Sequence, residues 1–320
     1  MPSVRSVVVR MFPVALISAL TMSQGLAQDA TGALRLRFTT FSVPGSLVLG
    51  VESINSAGTI VGYYSDSAGN SIGFQLPSGG AISTLVDPLD TATPGFTEAN
   101  GINNAGTIVG QFYDAAATTY SGFFLTNGAY TTYDVPNEPQ FTTTALLGLN
   151  NRNGFCGFVF PPPYTAADAF VSSNRGAMSI FAVNGSTTNE CTAMNDSGSS
   201  VGIYEDSTGL IHGWMRDAAG AITVIDVPGA STTPAAVPCL GGSLAGTVPN
   251  GINNRGEITG HFWDTSNNEH GFIRSPNGTF TQVDVPGAYQ TAGGGVNENN
   301  AMVGHYTDTS CVSYGYTVKF

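Results

Sequence analysis

The chain has 320 residues, with 10 Lys and Arg against 22 Asp and Glu, for a formal net charge of −12. Its surface is acidic and nearly lysine-free, Lys319 being the only lysine. Such a surface repels phosphate backbones, which argues against nucleic acid and anionic membranes as partners. The length would allow two domains, but closed β architectures of this size are commonly one.

The first element is removable. Arg5 and Arg10 form a basic region, Met11 to Met22 an apolar core, and Gly25-Leu26-Ala27 a small-residue cleavage site. Residues 1–27 therefore read as a secretory signal peptide. About a dozen apolar residues fall short of the roughly 20 that a membrane span needs. Cleavage removes two arginines and no acid, leaving 8 basic against 22 acidic residues, or −14. The mature chain, residues 28–320, is expected to be a secreted monomer, extracellular or periplasmic, with no further membrane span.

From about residue 35 one phrase recurs six times, most clearly as Gly101-Ile102-Asn103-Asn104-Ala105-Gly106 and Gly251-Ile252-Asn253-Asn254-Arg255-Gly256. The repeated asparagines are Asn55, Asn103, Asn150, Asn195, Asn253 and Asn297, at spacings of 48, 47, 45, 58 and 44. Such periods indicate copies of one supersecondary unit, each too small to bury its own apolar face. Three residues after each Asn stands Gly58, Gly106, Asn153, Gly198, Gly256 or Asn300. Gly and Asn adopt positive φ most readily, so each phrase predicts a tight turn that the repeated Asn can cap.

The strand after that turn carries Gly-x-aromatic-x-Asp, as in Gly62-Tyr64-Asp66, Gly260-Phe262-Asp264 and Gly304-Tyr306-Asp308. Period-2 geometry places the three on one face, with the glycine admitting a neighbouring sheet and the Asp opening the next turn. The third repeat loses the Asp at Phe160-Pro161-Pro162-Pro163. A short strand around Gly-Phe follows, then a β-branched run such as Phe280-Thr281-Gln282-Val283-Asp284-Val285, stopped by Pro286-Gly287. Each repeat thus predicts four short antiparallel strands.

The chain ends point to closure. Phe38 to Val43 matches the strand that elsewhere follows Gly-Phe, and Gly315-Tyr316 matches the one that precedes it. The two half-hairpins can complete one sheet and leave no open edge. The predicted fold is all-β: a single six-bladed β-propeller of four-stranded antiparallel sheets.

These residues resemble the bacterial extracellular repeat family called HAF, or a sister group of it. The corresponding triplets are Ile72-Gly73-Phe74, Ser121-Gly122-Phe123, Asp168-Ala169-Phe170, His212-Gly213-Trp214, His270-Gly271-Phe272 and Tyr314-Gly315-Tyr316. Gly usually replaces the central Ala, and two copies keep the His. The resemblance implies secretion and a repeat β-fold and supplies no catalytic residues.

Candidate functional positions are sparse. His261 and His305 follow the repeated glycine in consecutive repeats, where others carry Tyr63, Gln111, Phe158 and Ile203. They are binding candidates, with Asp264 on the same strand as His261, although a turn-opening role explains that Asp better. No metal or cofactor signature is present. Four cysteines in a secreted chain suggest two bridges, Cys156–Cys191 and Cys239–Cys311, with buried free thiols the alternative. The connection from Val227 to Ile252 spans 25 residues against 11 from Val285 to Val296, the kind of insertion on which function is added. The expected function is non-enzymatic binding of a glycan or extracellular protein. The alternatives are a hydrolase or lyase acting on a polymer at the propeller channel, and a structural envelope component.

Overall fold

A computed structural model describes residues 36–136, 143–160, 166–173, 178–183, 186–237, 239 and 243–320, together with Val7 and Val8. The predicted signal peptide otherwise lies outside the described residues, as does Pro161-Pro162-Pro163. Val7–Val8 runs antiparallel to Ala129–Tyr133. Among the described residues every regular element is a strand.

In the first repeat, Val48–Ile54, Ile60–Ser65, Ser71–Leu76 and Ser83–Leu85 pair in chain order as an antiparallel meander. The pattern recurs from Thr97–Ile102 to Ala129–Tyr133 and from Thr143–Leu149 to Met178–Phe181. It recurs again from Ser186–Met194 to Ile222–Val224 and from Gly246–Ile252 to Phe280–Val283. One parallel pair, Ile211 with Gly246, links those last two meanders. The final repeat contributes Gln290–Val296, Ala301–Thr307 and Ser313–Lys319. Arg37–Phe41 completes that sheet, with Thr39 opposite Thr317. Two extra strands, Ala235–Ala236 and Ser243–Leu244, pair within the long connection.

The apolar core lies between sheets, not within them. Phe74 and Leu49 pack with Ala301 and Val303 of the last repeat, and Val61 packs with Ile102 and Phe123 of the second. Val109 packs with Leu146 and Phe170 of the third, and Val201 with Ile258 and Phe272 of the fifth. Each repeat therefore buries its face only against its neighbours, as the repeat period demands. The third residue of every triplet (Phe74, Phe123, Phe170, Trp214, Phe272, Tyr316) is fully buried.

The repeated asparagines do more than cap turns. Asn150 Oδ1 accepts the Arg152 and Gly154 amides at 2.9 and 2.7 Å, and Gly58 and Asn153 take the positive φ that the turn requires. Each Nδ2 then donates to the backbone carbonyl of the next repeat's Asn. Asn55 reaches Asn103, Asn103 reaches Asn150, and Asn150 reaches Asn195 at 3.2, 3.4 and 2.9 Å. Asn195 reaches Asn253, Asn253 reaches Asn297, and Asn297 returns to Asn55 at 3.1, 3.3 and 2.9 Å. The circuit closes on itself. A second circuit lies outside it, where Asn104, Asn151, Asp196 and Asn254 each accept an amide from the preceding repeat.

The glycine of Gly-x-aromatic-x-Asp has a different reason from the one expected. A Cβ at Gly62 would lie 2.1 Å from the Gly50 carbonyl oxygen, and one at Gly110 would lie 1.9 Å from that of Glu98. The close approach is to the inner strand of the same sheet, next to a bulge in the pairing. The neighbouring sheet is admitted instead by the triplet glycine: a Cβ at Gly122 would meet Leu146 of the next repeat at 2.8 Å.

Candidate functional site

The first five inner strands slip register three residues before their Asn, between Val51 and Ser53, Ala99 and Gly101, Leu146 and Gly148, Cys191 and Ala193, and Pro249 and Gly251, and the sixth slips between Gly293 and Val296. A bulge re-aims the residue it contains. Here the bulged residues are Glu52, Asn100, Leu147, Thr192 and Asn250, and all five line one cavity of about 340 Å³. Glu98, Glu190 and Val248, from the inner strands, join them there. The rest of the wall is the position after the second-strand glycine, Tyr63, Gln111, Phe158 and Ile203. This cavity is the channel at the centre of the Asn circuit, since Glu52, Asn100, Leu147, Thr192 and Asn250 also border the mouth formed by the repeated asparagines. The slot that His261 and His305 share, irregular in the sequence, thus faces the channel in the first four repeats, whereas neither His261 nor His305 lines this cavity.

The channel is acidic, with no lysine or arginine in its lining. Burial, and then the nearby Glu98, push the Glu52 carboxyl up to about 7. Burial, and then Glu205, raise Glu190 to about 7. Glu98 is also raised by burial, partly offset because its two oxygens accept from Gln111 Nε2 at 2.9 Å and Ser71 Oγ at 3.1 Å. The Tyr63 hydroxyl is pushed up by burial and by both glutamates, so it remains a donor. Near neutral pH the cavity offers part-protonated carboxyls, amides and a phenol, with the Phe158 ring beside them. Hydroxyl groups, which donate and accept at once, match such a lining.

His261 and His305 are each held near 4 by burial, so both are neutral imidazoles at physiological pH. His261 Nδ1 lies 3.2 Å from Asn250 Nδ2 and 3.3 Å from the Gly293 carbonyl. Its Nε2 is 3.6 Å from Glu269 Oε1. Burial raises Glu269 to about 7, so burial drives this contact towards a neutral pair despite its ion-pair distance. His305 lies in a separate cleft beside Glu269.

Asp264 does not join them. Its carboxylate accepts from Ser266 and Asn268 in its own turn and contacts His270 Nε2 at 3.3 Å. Asp284 holds the other nitrogen of His270 at 2.9 Å, and together the two carboxylates raise that imidazole's pKa. His212 is held in the same way between Asp206 and Asp226, stacked on Tyr204. Among the described residues no group of three or more His, Cys, Asp or Glu side chains is placed to hold a metal ion.

The cysteines divide. Cys239 and Cys311 are bonded, joining the long connection to the turn after Asp308. Cys156 and Cys191, also expected to form a bridge, are free buried thiols. Cys156 Sγ donates to the Cys191 carbonyl at 3.3 Å, while Cys191 Sγ points to the Ala193 carbonyl at 3.8 Å. Packed with Ala169, Met194 and Trp214, they act as small apolar side chains between two sheets.

No family model and no curated protein matches the chain. Among solved structures it is similar to AofleA from Arthrobotrys oligospora, at 11% identity over 90% of this chain and 88% of that one, with a TM-score of 0.53. A structure from work on two prolyl endopeptidases aligns at 10% identity over 93% of this chain and 48% of that one, with a TM-score of 0.52. A variant of Aleuria aurantia lectin in complex with α-methyl-L-fucoside aligns at 10% identity over 87% and 93%, with a TM-score of 0.49. At such identities the likeness is one of fold. The sheets, their circular packing and the likeness to the first two of these structures define the class: an all-β propeller of four-stranded antiparallel sheets.

Proposed function

We propose that the protein is a secreted, six-bladed propeller of the HAF type that binds glycans in its central channel without catalysis. Six blades are supported by the six asparagines of the closed circuit and by the pairing of Arg37–Phe41 with Ser313–Lys319. The observation that carries the binding reading is the channel lining, where Glu52, Glu98, Glu190, Asn100, Asn250 and Tyr63 surround about 340 Å³. Saccharides present hydroxyls for such groups and apolar faces for a ring such as Phe158.

The test is an array of extracellular polysaccharides probed with wild-type protein and with Ile203→Trp, which fills the channel without removing a polar group. Binding by wild type and its loss in Ile203→Trp are expected. An array with no wild-type signal refutes the glycan reading, and binding that survives the block refutes the channel as its place. A hydrolase or lyase is the second reading, favoured by Glu52 and Glu98 lying in one wall with raised pKa. Release of reducing ends from a bound polymer, abolished by Glu52→Gln, would establish it instead.

A further inference from the structure

The last repeat meets the fifth on one side and the first on the other. There a cleft of about 110 Å³ opens beside the Cys239–Cys311 disulfide. That volume is several times the roughly 10–15 Å³ that admits a single water. Its polar lining includes Glu269, Gln290 and Thr307, which are 5%, 2% and 5% exposed. Gln290 Oε1 accepts the Glu269 amide, yet its Nε2 has no partner, and neither has Thr307 Oγ1. Buried polar groups are rarely left unpaired, because each one costs its hydration. Two unpaired groups in the wall of one cleft therefore point to something that fills it.

The chemistry of the lining narrows the occupant. His305 is a neutral imidazole and Glu269 a carboxyl that takes up its proton near neutrality. An anion would meet that carboxyl, and a cation would meet the Gln290 amide hydrogens. A neutral hydroxyl both gives to the carboxyl and accepts from the amide. The cleft is also lined by Leu47 and Val48, which are 59% and 50% exposed and provide an apolar surface for the carbon face of a small polyol.

We propose that this cleft is a second binding site, specific for a neutral polyhydroxyl unit of monosaccharide size and distinct from the channel. The insertion between the fourth and fifth outer and inner strands then has a task. It carries Cys239 across to Cys311 and fixes one wall of the cleft. In the repeat sequence Glu269 stands where other copies carry Ser71, Tyr120, Ala167, Ile211 and Ser313, so the chemistry is confined to this one place.

The proposal shares a ligand class with the channel reading but not its location, and the test separates them. Saturation-transfer NMR and titration calorimetry are run with free L-fucose, D-mannose, D-galactose, D-glucose and N-acetylglucosamine. The proteins are wild type, Thr307→Val and Ile203→Trp. Because Thr307 Oγ1 has no protein partner, Thr307→Val leaves the melting temperature unchanged or higher. At least one sugar is expected to bind wild type and Ile203→Trp alike, and to bind Thr307→Val about five- to tenfold more weakly. Binding indifferent to Thr307 but lost in Ile203→Trp overturns the cleft and leaves the channel reading standing. A Thr307-dependent sugar with a blank polysaccharide array does the reverse. No binding of any sugar, with only waters bridging Gln290 and Thr307 in a crystal grown from the sugar, also overturns it.

Discussion

Replacing Asn150 by alanine tests whether the circuit of asparagines holds the ring. Three hydrogen bonds disappear: two that close the turn, from the Arg152 and Gly154 amides, and one that ties the turn to the Asn195 carbonyl. Asn150 is 7% exposed, so the groups left behind are poorly hydrated. At about 1 kcal/mol net per bond, the loss is about 3 kcal/mol, rising if the Asn195 carbonyl stays dry. For a domain this large that is a fall of roughly 6–12 °C in melting temperature. Asn150→Ser separates the two roles, since a hydroxyl can still cap the turn but is too short to reach the next repeat. It should recover part of the loss. Asn151→Ala, on the exposed outer circuit, should cost under about 1 kcal/mol. Equilibrium unfolding in guanidinium chloride, read as a shift in midpoint at constant slope, measures all three. If Asn150→Ala costs no more than Asn151→Ala, the inner circuit is incidental.

Glycine substitutions should divide by cause. Gly110→Ala drives a Cβ into the Glu98 carbonyl and should cost more than about 3 kcal/mol, whereas Gly106→Ala, with φ of 80° and open space, should cost about 1 kcal/mol. Similar midpoints for the two would disprove the clash. The pH dependence follows from the sign of each shift. Glu52, Glu190 and Glu269, raised from 4.5 to about 7, lend stability that is complete below the unfolded value and is lost as pH rises through 7. His261 and His305, lowered from 6.5 to about 4, act oppositely: their contribution is present above 6.5 and is lost as pH falls through 4. Above about pH 6.5 the carboxyl effect remains and His270, whose pKa is raised by Asp284 and Asp264, acts in the same direction, so the melting temperature should fall up to about pH 8 and Glu269→Gln should lessen the slope. A melting temperature that rises there would contradict the burial of these acids. Deleting residues 313–320 removes the strand that Arg37–Phe41 and Ala301–Thr307 both pair with. The whole protein should then lose cooperative unfolding by circular dichroism, and an unchanged transition would show that the ring does not depend on closure.

The turns and the meanders were legible because they rest on local rules (positive-φ residues, β-branched runs and proline stops), and the pairing of the chain ends because each end matches half of a repeated hairpin. The channel was not. Glu52, Asn100 and Thr192 occupy bulges, and a strict alternation of faces cannot say that a bulged side chain points to the axis. The capping role of the asparagines could be read from their turns, but their second bond depends on how far the next repeat has rotated, which no single repeat encodes. The cysteines misled for a related reason. Cys156 and Cys191 lie in adjacent repeats as expected, but each thiol is aimed at a backbone carbonyl, whereas Cys311 stands in a turn where Gly69 and Gly209 stand in other copies. A cysteine in a glycine's place, which the structure holds at φ of 61°, was the sign in the sequence that something specific holds it.

The pairing of Arg37–Phe41 with Ser313–Lys319 also constrains how the chain can be made. The strand that closes the ring leaves the ribosome long after the strand it must join. Until then the first repeat lacks Ala301 and Val303, on which Leu49 and Phe74 pack. The nascent chain must therefore carry an unpaired edge and an open apolar flank for most of its synthesis. Its exposure to wrong partners is greatest just before completion, and a holding chaperone is of most use to it in that interval.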